Sequence, residues 1–142
     1  MHPSIYRLPK KARRQKFEQF QLGKSRERAF IHAWSDVLSL PRWMTRAPTK
    51  ANETENQAGI DAYVHTDVGP IPVQIKGSVT SCKDYFDQRG PNGVTTVAVS
   101  HTDSAERIRA STLTHLKKGY EIAKNRLLRN RRGRHPHRLA TR

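Results

Sequence analysis

Two short segments in the middle of the chain alternate apolar and polar residues, and this pattern constrains the fold more than any other feature. Residues 60–66 read IDAYVHT and residues 71–76 read IPVQIK. Alternation with a period of two places the apolar side chains on one face of an extended strand. The linker, residues 67–70 (DVGP), contains turn-forming residues. The sequence therefore predicts two antiparallel strands joined as a hairpin.

A helix is expected before the hairpin. Ser25 suits an N-cap, and Pro41 would end the helix after Leu40. A weak strand at residues 43–47 and a polar loop at residues 49–58 would follow. The apolar residues of the helix keep helical spacing and predict one buried stripe: Phe30, Ala33, Trp34, Val37 and Leu38.

Three further elements are expected after the hairpin. Residues 81–88 favour one or two helical turns, and the β-branched residues 94–99 (VTTVAV) favour a strand. A long last helix follows, with its N-cap at residue 102, 103 or 104. We expect the chain after Arg129 to be disordered. This order of elements predicts an α/β fold with a sheet derived mainly from the hairpin.

Positive charge is concentrated at the two ends of the chain. The 142 residues carry 27 Lys and Arg against 12 Asp and Glu, a formal net charge of +15. The first 28 residues contain nine bases and two acids, the last 28 contain ten bases and one acid, and the middle is nearly neutral. Basic arms of this kind attract a polyanion, and each neutralised phosphate releases a counterion. We therefore expect nucleic-acid binding, with solubility tails as the alternative.

The charge distribution also suggests how the chain is organised. We predict a basic N-terminal arm at residues 1–22, a folded domain at residues 23–129 and a basic disordered tail at residues 130–142. The first arm would contact phosphates through Lys10, Lys11, Arg13, Arg14 and Lys16. The tail would do so through Arg129, Arg131, Arg132 and Arg134.

Several classes of protein are disfavoured by the sequence. A length of 142 residues suits one domain and is short for two. No apolar run is long enough to span a bilayer, and the N-terminus lacks the apolar segment of a secretory signal. Cys82 stands alone, which excludes a disulfide framework and a multi-cysteine zinc site. We expect a cytoplasmic protein associated with nucleic acid.

Four polar residues can converge at one end of the predicted sheet. Gln74 and Lys76 share a face of their strand, and Asp61 opens the neighbouring strand. Glu27 precedes Phe30 by three residues, at the N-terminal end of the buried stripe. Carboxylate and carbonyl oxygens are the ligands that Mg²⁺ prefers, and a nearby ammonium can stabilise a phosphoryl transition state. Taken singly, Glu27 could instead favour the positive end of its helix, and Asp61 could be a turn residue.

The order of these residues resembles the PD-(D/E)xK nuclease superfamily. Its pattern is an acid on the first helix, an Asp that opens one strand, and acid-x-Lys on the next strand. Glu27, then residues 59–62 (GIDA), then residues 73–76 (VQIK) fall on this pattern in order. Residues 23–28 and 43–48 are also similar to the opening of small Holliday-junction resolvases of this group. The resemblance covers about residues 23–100.

This resemblance implies a restriction-endonuclease-like αβββαβ core, with a small mixed sheet flanked by helices. It implies a metal-dependent endonuclease that hydrolyses DNA phosphodiester bonds, with structure selectivity and a homodimer as in resolvase-like relatives. The implied catalytic residues are Glu27, Asp61, Gln74 and Lys76. The implied ligands of a Mg²⁺ or Mn²⁺ ion are Glu27, Asp61, Gln74 and the carbonyl of Ile75.

The sequence departs from the family pattern at one position. Gln74 stands where an acid is usual; its amide oxygen can bind Mg²⁺ but adds no charge, so we expect weaker metal binding. Gln-x-Lys is similar to the end-cleaving subunit of some heteromeric bacterial transposases. Two alternatives stay open: a catalytically inactive nuclease-fold protein that binds DNA, and a basic RNA-associated protein.

Overall fold

Four strands and three helices are present in the part of the chain that the computed structural model describes, residues 9–78 and 93–140, with side chains to residue 133. The predicted helix at residues 81–88 lies outside these ranges. The prediction of an α/β fold with a small mixed sheet is confirmed. In chain order the elements are α1 (Lys10–Ser35), β1 (Met44–Lys50), α2 (Glu53–Gln57), β2 (Ala62–Thr66), β3 (Gly69–Lys76), β4 (Thr95–Ala98) and α3 (Ala105–Ala140).

The hairpin predicted from the alternating pattern is present as β2 and β3. The two strands are antiparallel, with Ala62 opposite Val73 and Val64 opposite Ile71. These four side chains and Ile75 are buried, as period two requires. The face that the sequence marked as apolar is therefore the face that enters the core.

The hairpin forms the centre of a four-stranded sheet with the order β1-β2-β3-β4. Strand β1 is antiparallel to β2, whereas β4 is parallel to β3. Pro72 cannot donate a backbone hydrogen bond. It is tolerated because β4 pairs with β3 only from Val73 onwards, so β3 has a single neighbour at Pro72.

The long helices pack beside each other on the sheet and close the core. The indole Nε1 of Trp34 on α1 donates to Thr112 Oγ1 on α3 at 3.2 Å, and Arg109 donates to the Ala33 carbonyl at 2.8 Å. Helix α3 also lies close to β4, where a Cβ at Gly119 would collide with the Thr95 hydroxyl. The core is made of residues from both helices and all four strands: Phe30, Ala33, Trp34, Met44, Ala62, Val64, Val73, Ile75, Val97, Val99, Ile108 and Leu116.

Helix α1 differs from its prediction at both ends. It begins at Lys10, so the prediction of an N-cap at Ser25 is wrong: the Ser25 hydroxyl donates to the Gln21 carbonyl inside the helix. The helix also stops at Ser35, where the Asp36 amide closes the last turn by donating to His32. Leu38 therefore leaves the predicted stripe and is fully exposed, because it lies beyond the helix end.

Three further segments are more regular than the sequence suggested. Helix α2 lies inside the predicted polar loop, and a capping box between Asn52 and Glu55 stabilises it. Helix α3 begins at the predicted place, with the Ser104 hydroxyl accepting from the Arg107 amide at 3.2 Å. It runs to Ala140, through most of the segment for which the sequence favoured a disordered tail. Strand β1 is likewise longer than predicted, ending at Lys50.

Over residues 9–78 and 93–140, no helix combines the length and the apolar character that crossing a bilayer requires.

Candidate metal and nucleic-acid site

Asp61 is fixed by hydrogen bonds to two neighbouring segments, β3 and the residue that follows β1. Its amide donates to the Val73 carbonyl at 2.8 Å, and its carbonyl accepts from the Ala51 amide at 3.0 Å. Its side-chain Oδ2 accepts from the Ile75 amide at 2.8 Å. Because Asp61 immediately precedes β2, its carboxylate acts as an acceptor for β3 where the ladder between the two strands ends. The carboxylate thus contacts the peptide that links residues 74 and 75.

Glu27 brings a second carboxyl group to the same place. It lies on α1 three residues before Phe30, on the side of the helix that faces the sheet. Glu27 is 7% exposed and Asp61 is 8% exposed, and their carboxyl groups lie within hydrogen-bonding reach of each other. Lys24 Nζ lies 3.5 Å from Glu27 Oε2 on the outer side of the pair. The predicted convergence of the two acids is therefore present in the structure.

Burial and the nearby Asp61 carboxylate change the protonation of Glu27. Removal from water raises the pKa of Glu27 above its ordinary value, and the charge of Asp61 and a hydrogen bond to it raise the pKa further. The opposing effect of Lys24 is smaller. A carboxyl group whose pKa is raised in this way tends to retain its proton, which a divalent cation can replace.

Gln74 lies on the neighbouring strand β3, beside the peptide that Asp61 contacts. It lies on the face of β3 opposite the core residues Val73 and Ile75. Its Oε1 is buried and has no hydrogen-bond partner in the described part of the protein. Leaving a buried acceptor unpaired costs about 1–3 kcal/mol, so such atoms commonly mark a place where a ligand or ion completes the contact.

Lys76 lies two residues beyond Gln74 on the same face of β3. Its carbonyl accepts from the Val99 amide at 2.8 Å, which fixes this end of the strand. The Arg26 guanidinium packs against the next residue, Gly77, where an added Cβ would lie 2.5 Å from its Cζ. The described contacts therefore join Glu27, Asp61 and the 74–75 peptide, while Lys76 is placed by its position on the strand.

The donor atoms suit a hard cation. Among the described side chains, residues 9–78 and 93–133, no group of three or more His, Cys, Asp or Glu is arranged to hold a metal. A cation here would therefore have two carboxylates, Glu27 and Asp61, and oxygens from amides and water. Mg²⁺ is usually bound by one or two carboxylates and retains several waters. The residues present fit a Mg²⁺ or Mn²⁺ ion.

An open cleft of about 840 Å³ has Glu27 in its wall. Helix α1 forms one wall, and α2 with the end of β1 forms the other. Glu27 lines the cleft together with Lys24 and Lys50, and the amides of Asn52 and Asn56 lie across from α1. Glu27 thus lines a cleft that carries basic and amide groups and one further acid, Glu53.

The basic residues predicted to contact phosphates lie at the outer ends of the long helices. Their described side chains are exposed: Lys10, Lys11, Arg13, Arg14 and Lys16 on α1, and Arg129, Arg131 and Arg132 on α3. The side chain of Arg134 lies outside the described residues. These bases are presented on regular helices and are open to a polyanion.

Three residues near the pair were not selected from the sequence. Lys24 could have been found from its spacing of three before Glu27, which places both side chains on one helix face. Phe20 lines the cleft and could have been found by continuing the same face backwards. The contact between Arg26 and Gly77 depends on how α1 lies against β3, and no sequence pattern signals it.

Comparison with known proteins adds no relative. No protein-family model matches the chain, and no curated protein or solved structure matches it. Its function must therefore be inferred from its own residues and their geometry.

Proposed function

We propose that the protein is a metal-dependent endonuclease that hydrolyses DNA phosphodiester bonds. The proposed site is a Gln-x-Lys variant of the PD-(D/E)xK pattern, on a core of restriction-endonuclease-like topology. One observation carries the proposal: the buried carboxyl groups of Glu27 and Asp61 lie together against the peptide between Gln74 and Ile75.

A structural role alone explains this pair poorly. Two carboxyl groups buried together oppose each other's ionisation and add no hydrophobic stabilisation. The chain carries a large excess of Lys and Arg over Asp and Glu. An acid with a purely structural role could therefore pair with a base instead of with another acid. A binding site for a divalent cation gives the two buried acids a purpose, and Gln74 Oε1 offers a further ligand without adding charge.

The residues would divide the work as follows. Glu27 and Asp61 would hold the ion through carboxylate oxygens, with Asp61 using Oδ1 because Ile75 occupies Oδ2. The Gln74 amide and the Ile75 carbonyl would complete the protein ligands. When bound, Mg²⁺ lowers the pKa of water and screens the charge that builds on phosphate oxygens.

The cations at the end of β3 would assist the reaction. A new bond forms between a water oxygen and phosphorus, the bond to one ester oxygen breaks, and that oxygen takes up a proton. The Lys76 ammonium would orient the attacking oxygen and stabilise the transition state. The Arg26 guanidinium packs against Gly77, the residue that follows Lys76, and would bind a neighbouring phosphate.

The outer halves of the helices would bind the nucleic-acid backbone. Their exposed bases neutralise phosphates without reading sequence, which suits an enzyme directed to a DNA structure. A homodimer acting on branched DNA stays a prediction of the resemblance, and size-exclusion chromatography with light scattering would measure it.

A nuclease assay tests the proposal. The purified protein is incubated with branched, nicked and linear DNA in Mg²⁺, in Mn²⁺ or in EDTA. We expect cutting that needs the metal and that falls on the order of 100-fold or more in Lys76→Ala. We expect the same loss in Asp61→Asn, which retains an acceptor for the Ile75 amide but loses the charge.

The controls separate catalysis from folding and binding. Glu18→Gln removes an exposed carboxylate from α1 and should leave cutting unchanged. DNA affinity in EDTA should be retained in Lys76→Ala and Asp61→Asn. Binding without cutting under any metal would support the inactive DNA-binding alternative. A preference for RNA that is insensitive to Asp61 would support the RNA-associated alternative.

A further inference from the structure

Phe20 is exposed beside the candidate site. It lies on α1, is 59% exposed and lines the same cleft as Glu27. Lys24 Nζ lies 5.5 Å from the centre of its ring and 3.5 Å from Glu27 Oε2. An aromatic ring, an ammonium and a buried carboxyl therefore follow one another along one face of α1, towards the carboxyl pair.

The opposite wall of the cleft carries groups that can hydrogen-bond to a base. Asn52 and Asn56 present amides there, and Lys50 lies at the end of β1. The capping box of α2 fixes Asn52, and the Tyr63 hydroxyl donates to Glu55, which anchors α2 to β2. The cleft thus has one aromatic wall and one amide wall that is held in place, with Lys24 and Lys50 at the two walls and the carboxylate of Glu53 at the amide wall.

We infer that this cleft binds an unpaired nucleobase that stacks on Phe20, so that the proposed enzyme acts on DNA with unpaired nucleotides beside the cut. This inference rests on the proposed function and names its substrate class. Bases within a duplex are covered on both faces by their neighbours, so only an unstacked base can present its face to Phe20. Lys24 and Lys50 complement the phosphates on either side of that base.

The helix provides a matched control. Phe17 is 63% exposed on the same helix, one turn earlier, and does not line the cleft. A general loss of hydrophobic surface or of helix stability would affect Phe17→Ala and Phe20→Ala alike. Stacking in the cleft would affect Phe20→Ala alone.

The experiment measures binding in EDTA, so that no DNA is cut. Fluorescence anisotropy compares a fully paired duplex with a duplex of equal length that contains a short single-stranded gap. We expect Phe20→Ala to bind the gapped duplex about tenfold more weakly and the paired duplex within about twofold of wild type. We expect Phe20→Trp to restore binding to the gap, and Phe17→Ala to match wild type on both.

Equal effects of Phe20→Ala on both DNAs, or no effect on either, would overturn the inference. The outcome is separable from that of the nuclease assay. A protein that cuts DNA but shows no Phe20-dependent preference for the gap retains the proposed function and loses this substrate class. A protein that never cuts but shows the preference retains the base-binding cleft and loses the nuclease.

Discussion

Helices α1 and α3 each consist of an inner half that is packed and an outer half that is exposed. The inner half of α1 buries Phe30, Ala33 and Trp34, and the inner half of α3 buries Ile108 and Leu116. The outer halves, residues 10–21 and 121–133, bury no side chain. The same secondary structure therefore continues from a region held by the core into one held only by its own hydrogen bonds.

The two kinds of half also carry different charges. The outer halves are rich in exposed bases, of which the inner halves also carry Arg28, Lys117 and Lys118, whereas the buried Glu27 lies on the inner half of α1. Exposed bases suit binding of a polyanion, and a buried acid suits binding of a cation. Under the proposed function, binding of nucleic acid and metal chemistry would lie at different ends of α1.

The packing difference predicts the largest effect on stability. Phe30→Ala should lower the free energy of unfolding by about 3–5 kcal/mol, because it empties a fully buried site. Phe17→Ala, on the outer half of the same helix, should change it by less than about 0.5 kcal/mol. Urea unfolding followed by circular dichroism measures both. Equal losses would show that the outer half is packed as firmly as the inner half.

The outer bases predict a large effect on salt dependence. Replacing Lys10, Lys11, Arg13, Arg14 and Lys16 with Gln removes up to five phosphate contacts. Between 50 and 200 mM salt, wild type should then lose up to about 500-fold more DNA affinity than the variant. Anisotropy titrations over this range measure the slope. Asp61→Asn should keep the wild-type slope, and an unchanged slope in the five-base variant would remove the first arm from the interface.

The raised pKa of Glu27 predicts a smaller, pH-dependent effect in EDTA. An acid whose pKa is higher in the folded protein stabilises it at low pH, and this stabilisation is lost as the pH rises through the folded pKa. Glu27→Gln cannot ionise and should therefore be more stable than wild type at pH 8. The expected gain in the free energy of unfolding is about 1.4 kcal/mol for each pH unit by which the fold raises the pKa of Glu27. Urea unfolding from pH 4 to pH 8 measures the difference.

The control for that series is Glu18→Gln, which alters an exposed carboxylate on the outer half. It should stay within about 0.5 kcal/mol of wild type at pH 8. If Glu27→Gln is less stable than wild type at pH 8, then the fold stabilises the ionised carboxylate of Glu27 in the wild type. The electrostatic description of the pair would then be wrong.

The smallest effect concerns the start of the inner half of α3. Ser104→Ala removes the side chain that accepts from the Arg107 amide and should cost about 1 kcal/mol. Ser111→Ala removes a hydroxyl that only donates to a carbonyl of its own helix and should cost less than about 0.5 kcal/mol. Thermal unfolding compares them, and equal costs would show that the cap does not stabilise the start of α3.

The parts of the fold that follow from local periodicity could be predicted from the sequence. The hairpin was predicted because five apolar residues alternate on β2 and β3 and all enter the core. The start of α3 was predicted because Ser104 precedes a helical pattern. In both places one local rule is enough, and no distant contact opposes it.

Other parts of the fold are not specified by a local sequence pattern, or are specified only by a short one. The outer half of α1 lacks an amphipathic pattern, so its helix rests on residue propensity and continuity with the packed half. Helix α2 could have been found from Asn52 and Glu55, which have the spacing of a capping box. The parallel pairing of β4 with β3 depends on the tertiary fold, which no local pattern specifies.

The candidate site was predictable in outline but not in detail. The order of Glu27, Asp61 and Gln74 along the chain suggested convergence, and the two acids do meet. The bonds that fix Asp61 involve Ala51 and Ile75, which come from two other segments, so only the folded chain brings them together. The cleft beside the pair depends on α2 and was therefore missed as well.

Manganese binding tests the buried carboxyl pair most directly. Electron paramagnetic resonance at neutral pH measures the concentration of free Mn²⁺ as protein is added. Wild type is compared with Asp61→Asn, and Asp103→Asn is the control. We expect wild type and Asp103→Asn to bind Mn²⁺, and we expect excess Mg²⁺ to displace it. Asp61→Asn should bind Mn²⁺ at least about tenfold more weakly, because it loses a charged ligand. Equal binding by wild type and Asp61→Asn, or no binding by wild type, would contradict a metal site at Glu27 and Asp61.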